Sequence, residues 1–64
     1  MRNTIKDLRK SKKLSQAQLA ERCQVTRQTI NAVENNKYDP TLQLAFALAS
    51  ELETTIDGLF EPDR

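Results

Sequence analysis

Three side chains near the middle of the sequence have the chemistry to read DNA bases. Arg27 and Gln28 are adjacent, and Asn31 follows one helical turn later. Arginine can donate two hydrogen bonds to guanine O6 and N7, and glutamine can pair with adenine N6 and N7. Residues three or four positions apart on a helix share one side, so the three side chains can approach the same groove. The simpler alternative is that they are polar residues on a solvated helix face with no ligand.

Two capped helices position these residues. Ser15 and Gln18 form the pattern Ser-x-x-Gln, a capping box that predicts a helix from about 15 to 23. Thr26 is the next capping residue and begins a second helix that extends to about 35, with Gln24 and Val25 between the two. This layout is typical of a helix-turn-helix at about 15–35, in which the second helix enters the major groove. Because many helix pairs share this spacing, the pattern alone is weakly specific.

The sequence as a whole indicates an all-α fold in one domain, 1–64. It contains one glycine and two prolines and no alternation typical of strands, which favours short helices over hairpins. Three further helices are predicted at about 4–12, 41–51 and 54–60. Helical spacing places Ile5 and Leu8 on the inner face of the first of them. In the helix at 41–51 the expected core stripe consists of Leu42, Ala45, Ala49 and Leu52.

The formal net charge is only +1, but the charges are distributed unevenly along the chain. Positions 1–37 contain nine basic and three acidic residues, for a net charge of +6. Positions 38–64 contain one basic and six acidic residues, for a net charge of −5. A basic half of this kind predicts a face that binds a polyanion, although the two halves could instead neutralise each other across the fold.

Composition argues against several classes of protein. The chain has no histidine and one cysteine, so we expect no internal disulfide, no metal site of the common kinds and no cofactor. No residues form a set for general acid–base catalysis, which argues against an enzyme. Cys23 is expected to be a small buried apolar residue rather than a redox sensor. With neither a run of about 18 apolar residues nor an apolar leader, a cytoplasmic protein is expected.

Three segments carry the most informative motifs, namely Leu-Ser-Gln-Ala-Gln-Leu-Ala at 14–20, Val-Thr-Arg-Gln-Thr-Ile at 25–30 and Glu-Asn-Asn-Lys-Tyr-Asp-Pro-Thr-Leu at 34–42. Together they closely resemble the Cro/C1 (Xre) family of DNA-binding repressors. The segment at 56–60 is similar to the fifth helix of the family. Within the family, the chain is most similar to compact stand-alone regulators that lack an effector domain, such as the cytolysin repressor and the controller proteins of restriction–modification systems.

The resemblance implies a five-helix lambda-repressor-like fold and a sequence-specific regulator of transcription that binds double-stranded DNA. We expect a repressor that binds a palindromic operator as a homodimer, with the helix at about 26–35 in the major groove. No small-molecule effector is evident in a chain of this length. The alternative is a helix-turn-helix that binds a protein, as in an antitoxin or an adaptor.

Contacts with the DNA backbone have a separate set of candidates. The free N–H groups at the starts of the two helices can bind phosphates, as can the polar side chains beside them: Ser15, Gln16, Thr26 and Thr29. Capping alone would equally explain Ser15 and Thr26. The resemblance implies that Gln16 also braces the recognition helix, and that Asn35 and Lys37 contact the backbone beyond the end of that helix.

The resemblance also implies features that hold the helices in place. In some relatives, the residues matching Arg9 and Glu34 form an ion pair between the first helix and the recognition helix, whereas the alternative is two independent surface charges. Position 24 is usually a left-handed glycine in the family, and a strain of about 1 kcal/mol is expected because it is Gln24 here. The C-terminal helices, at about 41–60, are expected to supply the core and the dimer contact, with the candidates Leu44, Phe46, Ile56, Leu59 and Phe60. Taken individually, Phe46, Ile56, Leu59 and Phe60 are expected in the core rather than at the interface.

Overall fold

Hydroxyl side chains begin four of the five helices found within residues 2–61. Each accepts a hydrogen bond from the backbone N–H three residues further on, which satisfies one of the donors that the first helical turn leaves unpaired. The capping residues are Ser15, Thr26, Thr41 and Thr55. Ser15 forms the complete capping box, because the Gln18 side chain in return accepts the Ser15 N–H at 2.8 Å. The caps expected from the sequence are confirmed.

The computed structural model describes residues 2–61, and no helix in this range is long and apolar enough to cross a membrane. In chain order the elements are β1 (Arg2–Asn3), α1 (Ile5–Ser11), α2 (Gln16–Cys23), α3 (Arg27–Glu34), α4 (Leu42–Glu51), α5 (Ile56–Leu59) and β2 (Phe60–Glu61). The predicted all-α fold with five helices is confirmed, with the addition of an antiparallel pair that sets Asn3 opposite Phe60.

The prediction that placed Phe60 in the last helix is wrong, because Phe60 begins β2. A strand of two residues is too short to show an alternation of polar and apolar side chains in the sequence. The pair forms because the two ends of the described chain, at 2–3 and 60–61, lie side by side in the fold.

Four helices end in a left-handed residue that is not glycine. These residues have φ between 56° and 59° and are Lys13, Gln24, Asn36 and Glu53. In each case the next residue donates its N–H to a carbonyl five positions back, at 2.9–3.1 Å, which is the Schellman arrangement for closing a helix. The left-handed turn expected at Gln24 is confirmed. Since the left-handed region is unfavourable for residues with a Cβ, these turns carry some backbone strain.

The core is apolar and draws on all five helices. Its fully buried side chains are Ile5, Leu19, Ile30, Val33, Leu48, Leu52 and Leu59. Cys23 is also buried, as predicted, and desolvation, reinforced by the Glu51 carboxylate, raises the pKa of its thiol. Because the thiolate is the reactive form of cysteine, the raised pKa lowers the reactivity of this residue.

One residue of α4, Leu42, is exposed where the sequence predicted a core position. Leu42, expected in the core stripe, has 69% of its surface exposed. The other three predicted members of the stripe, Ala45, Ala49 and Leu52, are buried as expected, and Leu44 and Leu48 are buried beside them. Leu42 lies four residues before Phe46, which is 58% exposed, so these two apolar side chains share a neighbouring face that the domain leaves uncovered.

Two of the expected dimer candidates belong to the core of the single chain. Leu44 is 6% exposed and Leu59 is 1% exposed, so neither offers a surface to a second copy, and these two assignments are wrong. Both side chains join the hydrophobic cluster that fills the domain. Of the other candidates, Phe46 is exposed, and Ile56 and Phe60 are half-buried.

Gln24→Gly is expected to leave the free energy of unfolding unchanged or to raise it by up to about 1 kcal/mol. Glycine adopts φ near 59° without steric cost, and this gain balances or exceeds the added entropy of the unfolded chain. Urea unfolding followed by circular dichroism measures the difference. The control is Gln43→Gly, the same change within α4, where helix propensity predicts a loss of up to about 1 kcal/mol. A clear loss of stability in Gln24→Gly would contradict the strain assigned to this turn.

Candidate nucleic-acid interface

The helix-turn-helix consists of α2, the turn at 24–26 and α3. Ile30 and Val33 of α3 are buried in the same hydrophobic cluster as Leu19 of α2. Because this face of α3 is fixed in the core, the polar side chains on its other side are exposed, and they are Arg27, Gln28 and Asn31. The polar face of α3 therefore points away from the core, which is the orientation that a recognition helix needs.

Four polar side chains line one shallow depression on this surface, namely Gln16, Arg27, Gln28 and Asn31. The structure thus brings together the three residues predicted to contact bases and one predicted to contact the backbone. Guanidinium and amide groups at one site offer several donors and acceptors, which is the combination that base edges require. In the part of the chain that the structure describes, no group of three acidic or cysteine side chains could hold a metal ion.

A buried ion pair fixes the position of α3. Arg9 Nε donates to Glu34 Oε2 at 2.7 Å, and Arg9 Nη2 donates to Glu34 Oε1 at 3.3 Å. Glu34 Oε1 also accepts a hydrogen bond from Gln16 Nε2 at 3.0 Å, and only 2% of the Glu34 side chain is exposed. Arg9 Nη1 donates to the Leu14 carbonyl at 2.9 Å. The ion pair implied by the resemblance is present, and it joins α1, the start of α2 and the end of α3.

Gln16 connects this network to the surface. Its amide donates one hydrogen to Glu34 and so braces α3, as the resemblance implies. A primary amide has a second hydrogen and a carbonyl oxygen with two lone pairs. Because Gln16 also lines the depression beside Arg27, these remaining groups lie where a ligand on that surface would meet them.

The hydroxyl candidates for backbone contact have structural roles of their own. Ser15 Oγ accepts the Gln18 N–H at 3.0 Å, and Thr26 Oγ1 accepts the Thr29 N–H at 3.2 Å, so both residues are helix caps. The Thr26 and Thr29 hydroxyls are also hydrogen-bonded to each other at 3.0 Å. Capping is compatible with a phosphate contact, because further N–H groups of the first turn lack partners within the helix. Contact with DNA stays a prediction for these residues.

Asn35 and Lys37 lie where α3 ends. Asn35 Nδ2 donates to the Asn31 carbonyl at 2.8 Å, which ties this side chain to the last turn of the helix. Lys37 is exposed, and its backbone N–H closes the helix by donating to the Ala32 carbonyl at 2.9 Å. Asn3, which no sequence pattern singles out, reaches the same region, because its side chain donates to a carbonyl 30 residues away.

Within residues 2–61, two ion pairs join the basic and the acidic parts of the chain. Lys12 Nζ lies 2.9 Å from Glu53 Oε2, and Arg22 Nη1 lies 3.6 Å from Glu51 Oε1. The hydrogen bond from Lys12, together with its charge, lowers the pKa of the Glu53 carboxyl. At these two places the basic and acidic halves of the chain neutralise each other, which is the alternative to a polyanion-binding face given above. Neither pair involves α3 or the turn that follows it.

Comparison with known proteins decides the family. A model of the helix-turn-helix family matches residues 5–59, which is most of the chain. The chain belongs to the Cro/C1 family of helix-turn-helix transcriptional regulators. Members of this family are DNA-binding regulators of transcription and not enzymes, so the predicted fold, family and non-enzymatic class are confirmed.

Individual relatives agree with this assignment. An HTH-type transcriptional regulator of Methanocaldococcus jannaschii is 43% identical over 60 residues, which cover 94% of this chain and 91% of the relative. The immunity repressor protein of Bacillus phage phi105 is 34% identical over 55 residues, 86% of this chain but 38% of the repressor. Among solved structures, the restriction-modification controller protein C.AhdI from Aeromonas hydrophila has a TM-score of 0.81 at 30% identity, covering 88% of this chain and 85% of that chain.

Glu34→Ala is expected to lower the free energy of unfolding by about 3–5 kcal/mol, because it leaves the buried Arg9 guanidinium without its counter-charge. A domain of this size is stable by only about 3–5 kcal/mol, so circular dichroism should show a largely unfolded chain. The double variant Arg9→Met/Glu34→Leu removes both charges and is expected to recover much of the loss. Lys12→Ala, which breaks an exposed pair, serves as the control and should have little effect. A similarly small effect of Glu34→Ala would contradict the role assigned to the buried pair.

Proposed function

We propose that this chain is a transcriptional repressor that recognises a palindromic operator as a homodimer, with α3 in the major groove. The observation that carries the proposal is the exposed polar face of α3, where Arg27, Gln28 and Asn31 surround one depression. The buried Arg9–Glu34 pair supports it, since base readout needs a helix that is held in one orientation. Similarity to an immunity repressor supports repression as the mode of regulation.

Base recognition is assigned to the first turns of α3. Arg27 donates two hydrogen bonds to guanine, Gln28 pairs with adenine, and Asn31 contacts a base edge one turn further along. The N-terminal end of a recognition helix is the part that lies deepest against the base edges, which agrees with the position of Arg27 as the first residue of α3. These contacts supply the sequence preference.

Phosphate contacts hold the helix in the groove. The N–H groups that begin α2 and α3 bind phosphates together with Ser15, Gln16, Thr26 and Thr29. Gln16 bonds Glu34 with one amide hydrogen and a phosphate with the other, so the same side chain orients α3 and docks it. Asn35 and Lys37 contact the backbone beyond the end of α3. These contacts set the position of the protein on the duplex and carry no sequence information of their own.

A second copy of the chain is assigned to the groove between α4 and α5. Phe46, Ala49 and Ile56 are its apolar lining. Phe46 is 58% exposed, and a twofold contact would remove this aromatic surface from water. Phe60, half-buried at the start of β2, is the remaining candidate. In such a dimer the two α3 helices enter half-sites about one DNA turn apart, roughly 34–36 Å.

Selection of bound duplexes from random DNA is expected to enrich a palindrome. Arg27→Ala and Gln28→Ala should each relax the preference at a different position of the half-site, at a cost of about 1–3 kcal/mol for the preferred base. Lys37→Ala is the matched control, because removing a phosphate-binding side chain weakens binding to all sequences and keeps the preference. Binding without sequence preference would contradict the proposed regulator, and would favour a helix-turn-helix used to bind a protein.

Sedimentation at micromolar concentration is expected to show a dimer that Phe46→Asp converts to a monomer. The substitution places a charge in the apolar groove, where dimer formation would have to remove it from water. Gln43→Asp is the control, because it places the same charge at an exposed position of α4 that does not line the groove. A wild-type chain that is strictly monomeric at this concentration would contradict the proposed homodimer.

A further inference from the structure

The N-terminal strand makes a long-range contact with the end of the recognition helix. Asn3 of β1 donates from Nδ2 to the Val33 carbonyl at 2.9 Å, across 30 residues of sequence. It also donates to Asn36 Oδ1 at 3.0 Å, and a longer contact of 3.5 Å reaches the Glu34 carbonyl. One side chain thus touches both the last turn of α3 and the turn that follows it.

Both the oxygen and the nitrogen of the Asn3 side-chain amide form hydrogen bonds. Oδ1 accepts the Ile5 N–H at 3.1 Å at the start of α1, while the amide hydrogens point to α3. The strand itself is anchored, because Asn3 pairs with Phe60 and the next residue, Thr4, donates its N–H to the Leu59 carbonyl at 2.9 Å. The side chain is therefore fixed from its own side and acts as a tether for the end of α3.

The tethered turn carries the lysine assigned to DNA. Asn36 is left-handed, with φ of 59°, and Lys37 follows it directly. Asn35, Asn36 and Lys37 are all exposed, so side-chain packing does little to fix this turn. The bonds from Asn3 tie it to a different element of the fold and so add a constraint that the helix alone does not supply.

We propose that Asn3 is a positioning residue for DNA binding, which holds the turn after α3 so that Lys37 meets a phosphate of the backbone. This inference rests on the proposed function and adds to it a residue that lies outside the helix-turn-helix. Without the Asn3 bonds, the turn keeps its backbone hydrogen bonds but loses its tie to β1. The untethered turn no longer holds Lys37 against the phosphate, so this charge contact and its share of the affinity are lost.

A double-mutant cycle between Asn3 and Lys37 tests the inference, with the full chain and the palindromic duplex enriched by selection. Lys37→Ala is expected to reduce the slope of log Kobs against log salt concentration by about 0.9 for each phosphate that is no longer neutralised. Asn3→Ala is expected to reduce the slope similarly, with affinity about tenfold lower. Because both changes act on the same phosphate interaction, Asn3→Ala/Lys37→Ala should bind no more weakly than Lys37→Ala alone.

Two further variants separate positioning from stability. Thr4→Ala removes the hydrogen bond from the Thr4 hydroxyl to the Gly58 carbonyl, at the same end of the chain but away from α3, and should leave the salt slope unchanged. Asn36→Gly keeps the left-handed backbone and removes the Oδ1 acceptor, so it should reproduce part of the Asn3→Ala effect in a chain that still folds. Circular dichroism measures the folded fraction of each variant, and affinities are expressed per folded chain.

Additive effects on affinity in the cycle would overturn the inference, as would a wild-type salt slope in both Asn3→Ala and Asn36→Gly. Either result leaves operator recognition by Arg27 and Gln28 intact. Failure of the wild-type chain to select any sequence would instead overturn the proposed function, and the inference with it.

Discussion

The position of α3 depends on one buried carboxylate, that of Glu34. A carboxylate that is 2% exposed is tolerated only when its charge is paired and its lone pairs are hydrogen-bonded. Arg9 supplies the charge from α1, and Gln16 supplies a further bond from the start of α2. Any independent movement of these three elements would leave a buried charge without partners. The network therefore fixes α3 relative to the helix that precedes it and to the N-terminal helix.

Apolar packing alone would set this orientation less sharply. Ile30 and Val33 anchor α3 in the core, but the hydrophobic effect is non-directional, and a small rotation of a helix changes the buried area little. Hydrogen bonds of 2.7–3.0 Å to a single carboxylate weaken steeply when their angles change. The core thus determines which face of α3 is inside, and the ion pair determines how the outer face is presented. The orientation of the exposed residues Arg27 and Gln28 therefore depends on both the apolar core and the ion pair.

Local signals predicted most of the fold, and the features that they did not predict depend on distant contacts. The capping box of Ser15 and the cap of Thr26 are encoded within four residues, so the starts of α2 and α3 are evident in the sequence. Leu42 has suitable helical spacing for a core residue, but its exposure depends on which face of α4 meets the other helices. The contact of Asn3 with Val33 leaves no local pattern at all. The Arg9–Glu34 pair, 25 residues apart, was accessible through the family resemblance rather than through any local rule.

The ion pairs show how the near-neutral net charge affects the surface of the protein. Lys12 and Arg22 lie beside carboxylates of the acidic half, so the excess positive charge facing a polyanion is smaller than the distribution along the chain suggests. Non-specific affinity for DNA grows with the number of phosphates neutralised, and a genome offers roughly 10⁶–10⁹ competing sites. A DNA-binding regulator with little excess charge is held less by those sites and gains its affinity for a specific sequence from directional contacts. Directional contacts form in one geometry only, so they require a helix that is held in a fixed orientation. The buried ion pair that fixes α3 therefore matters more in a domain with little excess charge.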